Sequence, residues 1–580
     1  MCGIYAAFRA LPIEASSLEK EAVSVSEALH HRGPDAQGWQ IWDQRHLLLH
    51  RRLSILGLGP AGNQPMSSDD ARYWISYNGE IYNYLELAEA EGWTLQTGTD
   101  TELLLKLWQA YGSACLTRLD GFFAFVLVDL HAQKAWAVRD FSGVKPLYWV
   151  GDGHQLLSFC SEEGPLLRHL ENPRVCERAV RSFLQRGESD VCPWWEGVQE
   201  LAPGHCLEWS WTDTALAMGA STAWHISESP AIQIHHSQAL EAHLSSALRR
   251  RLRSDVPIGF ALSGGLDSAL ILGMARSILG PEAPLHAFSV NAEGKDGDES
   301  AWQRLVAQHN RVEWHSIPVS DLTAEDLLRY VQSTHRPAVA WNNLAHWALC
   351  RSVHQQGIAV LFNGQGADEL FGGYPHYYRQ ALLREPLAML KNLRKWPLSP
   401  LRLLLQALKS WFQESGVQSQ SPGQMMRADF FGLRLGQLLK YEDRNGMAFS
   451  LESRNPFADD RELAQAALAL GPELSARWWR GYSKGALREV AESYVPHALR
   501  FRVDKKGFTV PECEMTLQCL AAWKPALFSS VLDPWISQKT RKMHWEKFVK
   551  NPKNEKSARL LFRCASLSYF LTERPTLDPS

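Results

Sequence analysis

The stretch "VPIGFALSGGLDSALILGMARSIL" (256–279) constrains the fold more than any other. Its first seven residues form a short apolar run, the mark of a strand buried on both faces. A Gly-rich loop follows, then a helical segment. "LHAFSV" (285–290) and "IAVLFN" (358–363) are further buried strands with helices between them. Strand–helix alternation gives parallel pairing, because each crossover returns the chain to the same end of the sheet. From residue 238 the chain is therefore read as an α/β doubly wound parallel sheet, with helices dominating beyond 380.

The loop "SGGLDS" (263–268) sits where such a sheet binds ligands, at a strand's carboxyl end. Gly264 and Gly265 let backbone N–H groups approach a polyphosphate at the helix N-terminus. Asp267 can hold a Mg²⁺ that neutralises the phosphates. The chain has no G-x-x-x-x-G-K-[ST] pattern, so the loop points to pyrophosphate binding and chemistry at the α-phosphate. "FNGQGADELFGGYPHY" (362–377) is the next strand-end loop, with Asp368 as a second Mg²⁺ ligand. In "GYSKGALRE" (481–489), Lys484 can stabilise a pentavalent phosphate or a tetrahedral adduct, or be a solvated helix lysine.

The first 211 residues follow another pattern. "HLLLHRRLSIL", "ARYWISYNGEIYNY", "FFAFVLVDL" and "KAWAVRD" are strand-like runs broken by Gly, Asn and Asp, with helices near 17–30 and 101–112. This part reads as an α+β sandwich of stacked sheets over 2–211, joined to 238–580 by a linker of small and polar residues over 212–237. With 580 residues, two or three cores are expected.

Cys2 opens the chain's chemistry. Once Met1 is removed, Cys2 carries both a thiol and an α-amine, whose ordinary pKa of about 7.7–8.0 suits a base near neutral pH. A buried free thiol is the plain alternative. In "YNGEIYNY" (77–84), Asn78 and Gly79 offer two donors for an oxyanion, although Asn-Gly is also a hairpin signal. Arg52 suits a carboxylate. Asp100, in a turn before a helix, suits an ammonium or acts as an N-cap. Together these groups fit a free α-amino acid with a side-chain amide.

The net charge of −3 points to no nucleic acid partner. Ten scattered cysteines without a C-x-x-C pair argue against a zinc ribbon or disulfide framework. With neither a signal peptide nor an apolar run long enough to span a membrane, a reduced, cytoplasmic setting is expected.

"MCGIYAAF", "HHRGPDAQGW", "RRLSI", "NGEIYNY", "GTDTE", "DGFFAFVLVD" and "RDFSGVKPLYW" resemble, in order, the class II (N-terminal nucleophile) glutamine amidotransferase domain. The resemblance implies hydrolysis of glutamine to glutamate and ammonia. Cys2 is then the nucleophile, Asn78 and Gly79 the oxyanion hole, Arg52 the carboxylate clamp and Asp100 the amine acceptor, with Glu80 in the same binding motif.

From about 240 to 510 the chain resembles the asparagine-synthetase domain, an ATP-pyrophosphatase fold. That implies ATP contacts at Leu262, Ser263, Gly264, Gly265, Asp267, Ser268, Val290, Asn363 and Gly364, with Mg²⁺ on Asp267 and Asp368. The implied ligase joins ATP and aspartate as β-aspartyl-AMP, which channelled ammonia converts to asparagine; the family also suggests homodimers.

Two departures put the acceptor in question. Gln365 stands where well-characterised family members commonly carry Glu, and "RPAVAWNNLAHWALC" (336–350) has Val339 and Trp341 in place of an expected Thr and Arg. Gln365, Val339, Trp341 and Asn342 are thus acceptor-site candidates, and a larger or less charged carboxylate, such as a sugar acid or peptide, is the alternative to aspartate. The basic amphipathic stretch 379–413 suits packing on its own domain, with a membrane or partner surface as the other use. "RVDKKGF" (502–508) places two lysines near the expected ATP site.

Overall fold

The computed structural model describes residues 2–573 except 189, 225–236, 296, 375, 378–420, 471–482 and 503–509. The stretch 379–413 and the two lysines of "RVDKKGF" therefore lie outside the described residues.

The N-terminal part stacks two six-stranded antiparallel sheets. One places the strand Gly3–Arg9 between Leu156–Cys160 and His46–Arg52. The other places Tyr73–Ile81 beside Gly121–Asp129. Strand alternation assigns the faces. Ile4, Ala6 and Phe8 meet Ala124, Val126 and Val128 between the sheets. Tyr5 and Ala7 instead face the helix Ala15–Ala28, and Phe123, Phe125 and Leu127 face the helix Asp100–Tyr111. A helix layer outside each sheet explains why antiparallel strands here are apolar on both sides.

Two local readings change. Asn78-Gly79 is no hairpin turn: both residues lie inside the strand Tyr73–Ile81, opposite Ala124 and Phe123. A side chain at Gly79 would overlap the Phe122 carbonyl oxygen, so the glycine serves a close strand approach. The expected linker also begins with structure, because Leu216–Ala223 is an edge strand paired with His205–Trp211. Trp224 then stacks on Phe123 at 5.8 Å between ring centroids. Ser421 and Gln424 form a reciprocal cap on the helix Pro422–Phe431.

The C-terminal part carries a five-stranded parallel sheet in the order Glu313–Pro318, His286–Asn291, Ile258–Ala261, Val360–Phe362, Glu452–Arg454. The chain first builds outward from Ile258–Ala261 on one side, then crosses to Val360–Phe362 on the other. The crevice between those two strands is the topological switch point, where such sheets bind ligands. The two parts share buried contacts: Trp194 packs on Phe570 at 5.0 Å, and Arg444 pairs with Asp190 at 2.6 Å. Among the described residues, no helix is long and apolar enough to cross a membrane.

Candidate active sites

Cys2 sits at the head of the central strand of its sheet and is buried. Its backbone N–H donates to Asn78 Oδ1 at 2.8 Å. The Asn78 Nδ2 amide is buried and finds no hydrogen-bond partner among the described residues, which leaves a donor beside the thiol. Burial pushes the Cys2 thiol up from its ordinary value, so a base is needed to make the thiolate.

Arg52, Gly79, Glu80 and Asp100 line the same pocket as Cys2. Arg52 is fixed by carbonyls of the following loop, Gly59 at 2.7 Å and Gly57 at 2.6 Å. Any side chain at Gly62 would collide with its guanidinium. Asp100 is the first residue of its helix, with Thr99 at the N-cap, so the turn reading shifts by one position. Its Oδ2 accepts from the Tyr77 hydroxyl at 2.7 Å and the Ile81 N–H at 2.9 Å. Burial nevertheless pushes Asp100 up, and burial together with Asp100 pushes Glu80 up. Two buried acids share a site that would be eased by a bound ammonium.

The second site gathers at the switch point. Gly264 has φ +75°, and its carbonyl accepts from Arg502 Nη1 at 3.1 Å. Ser263 and Ser268 join through their hydroxyls at 3.1 Å and tie the loop to the helix Leu266–Leu279. Leu262 N–H donates to Phe288 O at 2.8 Å, which sets the loop beside the strand ending near Val290. From the other loop, Asn363 N–H donates to Arg454 O at 2.9 Å, while its Nδ2 is buried without a partner among the described residues. A side chain at Gly364 would meet Asp267 Cβ at 3.2 Å. The two loops therefore touch.

Lys484 is no solvated lysine. It is buried, with Nζ 2.6 Å from Asp267 Oδ2 and 2.6 Å from Asp368 Oδ1. Burial alone would lower its pKa, but the two carboxylates overcome this and hold it above the ordinary lysine range. Hard carboxylate oxygens from two loops on one buried cation are a donor set that fits Mg²⁺.

The acceptor candidates divide. Gln365 lies in the site, and its Nε2 donates to Glu442 Oε1 at 2.9 Å. Trp341 belongs instead to the helical core: it donates to Thr516 Oγ1 at 3.0 Å and stacks on Trp523 at 5.5 Å. Val339 packs against the same core, and Asn342 is exposed.

Sequence reasoning missed the residues between the sites. Arg32 Nε donates to the Cys2 carbonyl at 3.1 Å, and its Nη2 reaches Asp443 at 3.0 Å. Lys145 Nζ meets the same Asp443 at 3.3 Å. Glu442 and Asp443 lie together on the helix Leu433–Met447. A signal was present, since both follow buried Leu435 and Leu439 at helical spacing, where apolar residues belong.

The chain matches the family model "Asparagine synthase" over residues 239–565 and the model "Glutamine amidotransferase domain" over residues 1–218. Asparagine synthetase [glutamine-hydrolyzing] 1 of Bacillus subtilis (strain 168) is 27% identical, over 88% of this chain and 87% of that protein. Amidase chry2 of Gibberella zeae is 33% identical, over 67% of this chain and 61% of that protein. Asparagine synthetase B [glutamine-hydrolyzing] of Escherichia coli K12 is 29% identical, over 66% and 67% respectively. This chain belongs to the asparagine synthase family, as a glutamine-dependent amidotransferase with its amidotransferase domain ahead of the synthase domain.

Proposed function

We propose that the protein is a glutamine-hydrolysing asparagine synthetase that adenylates aspartate with ATP and amidates the adduct. Cys2 Sγ attacks the glutamine side-chain amide. With Met1 removed, the nitrogen now bonded to Asn78 Oδ1 becomes the amine that takes the thiol proton. The orphan Asn78 Nδ2 and the Gly79 backbone serve the oxyanion, while Arg52 and Asp100 hold the glutamine carboxylate and ammonium.

At the switch point, the loops around Gly264 and Gly364 bind ATP. Asp267 and Asp368 would hold a Mg²⁺, which would neutralise phosphate charge when bound. Lys484, already between those carboxylates, is placed to stabilise charge at the reacting phosphorus.

The observation that carries the reading is the helix Leu433–Met447, whose consecutive acids contact both sites, Asp443 through Arg32 and Glu442 through Gln365. Ammonia released at Cys2 is useful only unprotonated, so a buried link between the sites suits its transfer. The test is pyrophosphate release with glutamine, ATP and a panel of carboxylic acids. Aspartate should give the highest turnover; a sugar acid outrunning it overturns the asparagine assignment. Cys2→Ala should lower glutaminase activity by about 10⁴-fold or more while ammonium chloride still drives synthesis.

Gln365 favours a second reading, in which the same two half-reactions act on another carboxylate. Trp341 lends that reading no support, because it lies in the core.

A further inference from the structure

The amidation half-reaction has a proton to dispose of. When ammonia adds to an acyl-adenylate, nitrogen carries a positive charge and one proton too many. The adduct yields an amide only when that proton leaves nitrogen as the C–O bond to AMP breaks. Gln365, beside the nucleotide loop, cannot accept it, because a neutral amide is no base.

Glu442 can. Its side chain reaches the nucleotide loop from the helix Leu433–Met447 and is 2% exposed. Oε1 accepts from Gln365 Nε2 at 2.9 Å, and Oε2 has no partner in good hydrogen-bond geometry among the described residues, with the Asn455 side chain near enough to pull on the carboxylate. A buried carboxyl with one oxygen pinned and the other idle is costly unless something uses it. We propose that Glu442 is the proton acceptor of the amidation step, and that Gln365 is the positioning residue that orients it. The assignment rests on the amidation reading above. The carboxylate takes one proton from the attached nitrogen, the C–O electron pair leaves with AMP, and the carboxylic acid then returns its proton to solvent.

The surroundings suit that task. Burial pushes Glu442 up to about 7, against the pull of Gln365, Asn455 and Lys145. An acid near neutrality is half ionised at working pH and can both take and release a proton. Lys145 faces it from the amidotransferase part and Asn455 from the end of the parallel sheet. Cys350 faces it from the helix Trp341–Gln355, and Tyr441 is its neighbour on its own helix. The thiol and the phenol are both pushed above their ordinary values by burial and stay neutral. Lys145 is the basic group in this set, itself lowered by burial, and Glu442 is pushed up to about 7.

The test uses the full-length protein and Glu442→Gln, with aspartate, ATP and ammonium chloride as probes. A second acid replaces aspartate if the wild type prefers it. Glu442→Gln should retain acid-dependent ATP–pyrophosphate exchange within about threefold and lose amide formation by about 10²-fold or more, the ordinary reach of general-base catalysis. Hydroxylamine, whose nitrogen sheds its proton more readily once attached, should give hydroxamate with a much smaller loss. With free ammonia held constant, wild-type amide formation should fall off on the acid side of about pH 7, and the variant should lack that limb. The double variant Gln365→Glu/Glu442→Gln should recover part of the lost amidation, because the carboxylate returns from the neighbouring side chain.

Equal amide formation by Glu442→Gln and wild type overturns the assignment and leaves the amidation reading standing. Parallel loss of exchange, hydroxamate and amide overturns it too, as the mark of a structural role. A wild type that activates no acid at all overturns the amidation reading, and the proton acceptor falls with it.

Discussion

The Asn78 side chain accepts and donates at once, which a carboxylate cannot do. Its oxygen accepts from Cys2 N–H at 2.8 Å while its buried Nδ2 remains available as a donor. Asn78→Ala should therefore lower glutaminase kcat by about 10²–10³-fold, with a smaller change in KM, since the donor acts on charge that develops during reaction. Steady-state glutamate release measures it. At Glu442, titration is tied to folding. The folded protein keeps a proton up to about pH 7 that the unfolded chain has lost above its ordinary value of 4.5. Stability from this group is thus complete below 4.5 and falls as pH rises through 7. Urea melts at pH 5 and pH 8 should show Glu442→Gln gaining on wild type at the higher pH; an equal difference at both would remove the linkage. The types of the catalytic candidates were readable in the sequence because each sits in a local motif. Glu442 was not, because its meaning depends on Gln365, 77 residues away.

At the scale of elements, the strand Tyr73–Ile81 shows where local rules lose. Asn-Gly favours a turn in isolation, but pairing with Gly121–Asp129 on one side and apolar cover on the other hold it extended. The segment 336–350 shows a similar override. The family resemblance places Trp341 at an acceptor site, whereas the packed helices Trp341–Gln355, Glu512–Leu527 and Glu555–Thr572 enclose it with Trp523 and Phe562. Trp341→Ala should cost about 3–5 kcal/mol of stability, as large-to-small changes in full cores do. It should leave the KM for the acceptor acid within about twofold, read from pyrophosphate release on the folded fraction. A large KM shift without destabilisation would return this residue to the acceptor site.

At the scale of the whole molecule, Asp443 is one of several buried acids that tie the two catalytic parts together. Asp443 is the shared partner of Arg32 and Lys145, both fully buried. Asp443→Asn would take a counter-charge from buried Lys145 and leave Arg32 with Glu162, a loss of about 3–5 kcal/mol for an interaction of this kind. It should also uncouple the sites. Glutamate release per amide formed should rise above that of the wild type, while ammonium-driven synthesis changes less; product ratios by chromatography decide it. The sequence by itself determined the two fold types and their order and nominated Cys2, Asn78 and Gly79 as site residues, because strand–helix alternation, the glycine loops and these motifs are signals of short range. Tertiary structure alone decided that Lys484 stands between Asp267 and Asp368, that Trp341 is core and that Glu442 answers Gln365. Those contacts join residues up to 217 positions apart, and only packing sets which distant side chains meet.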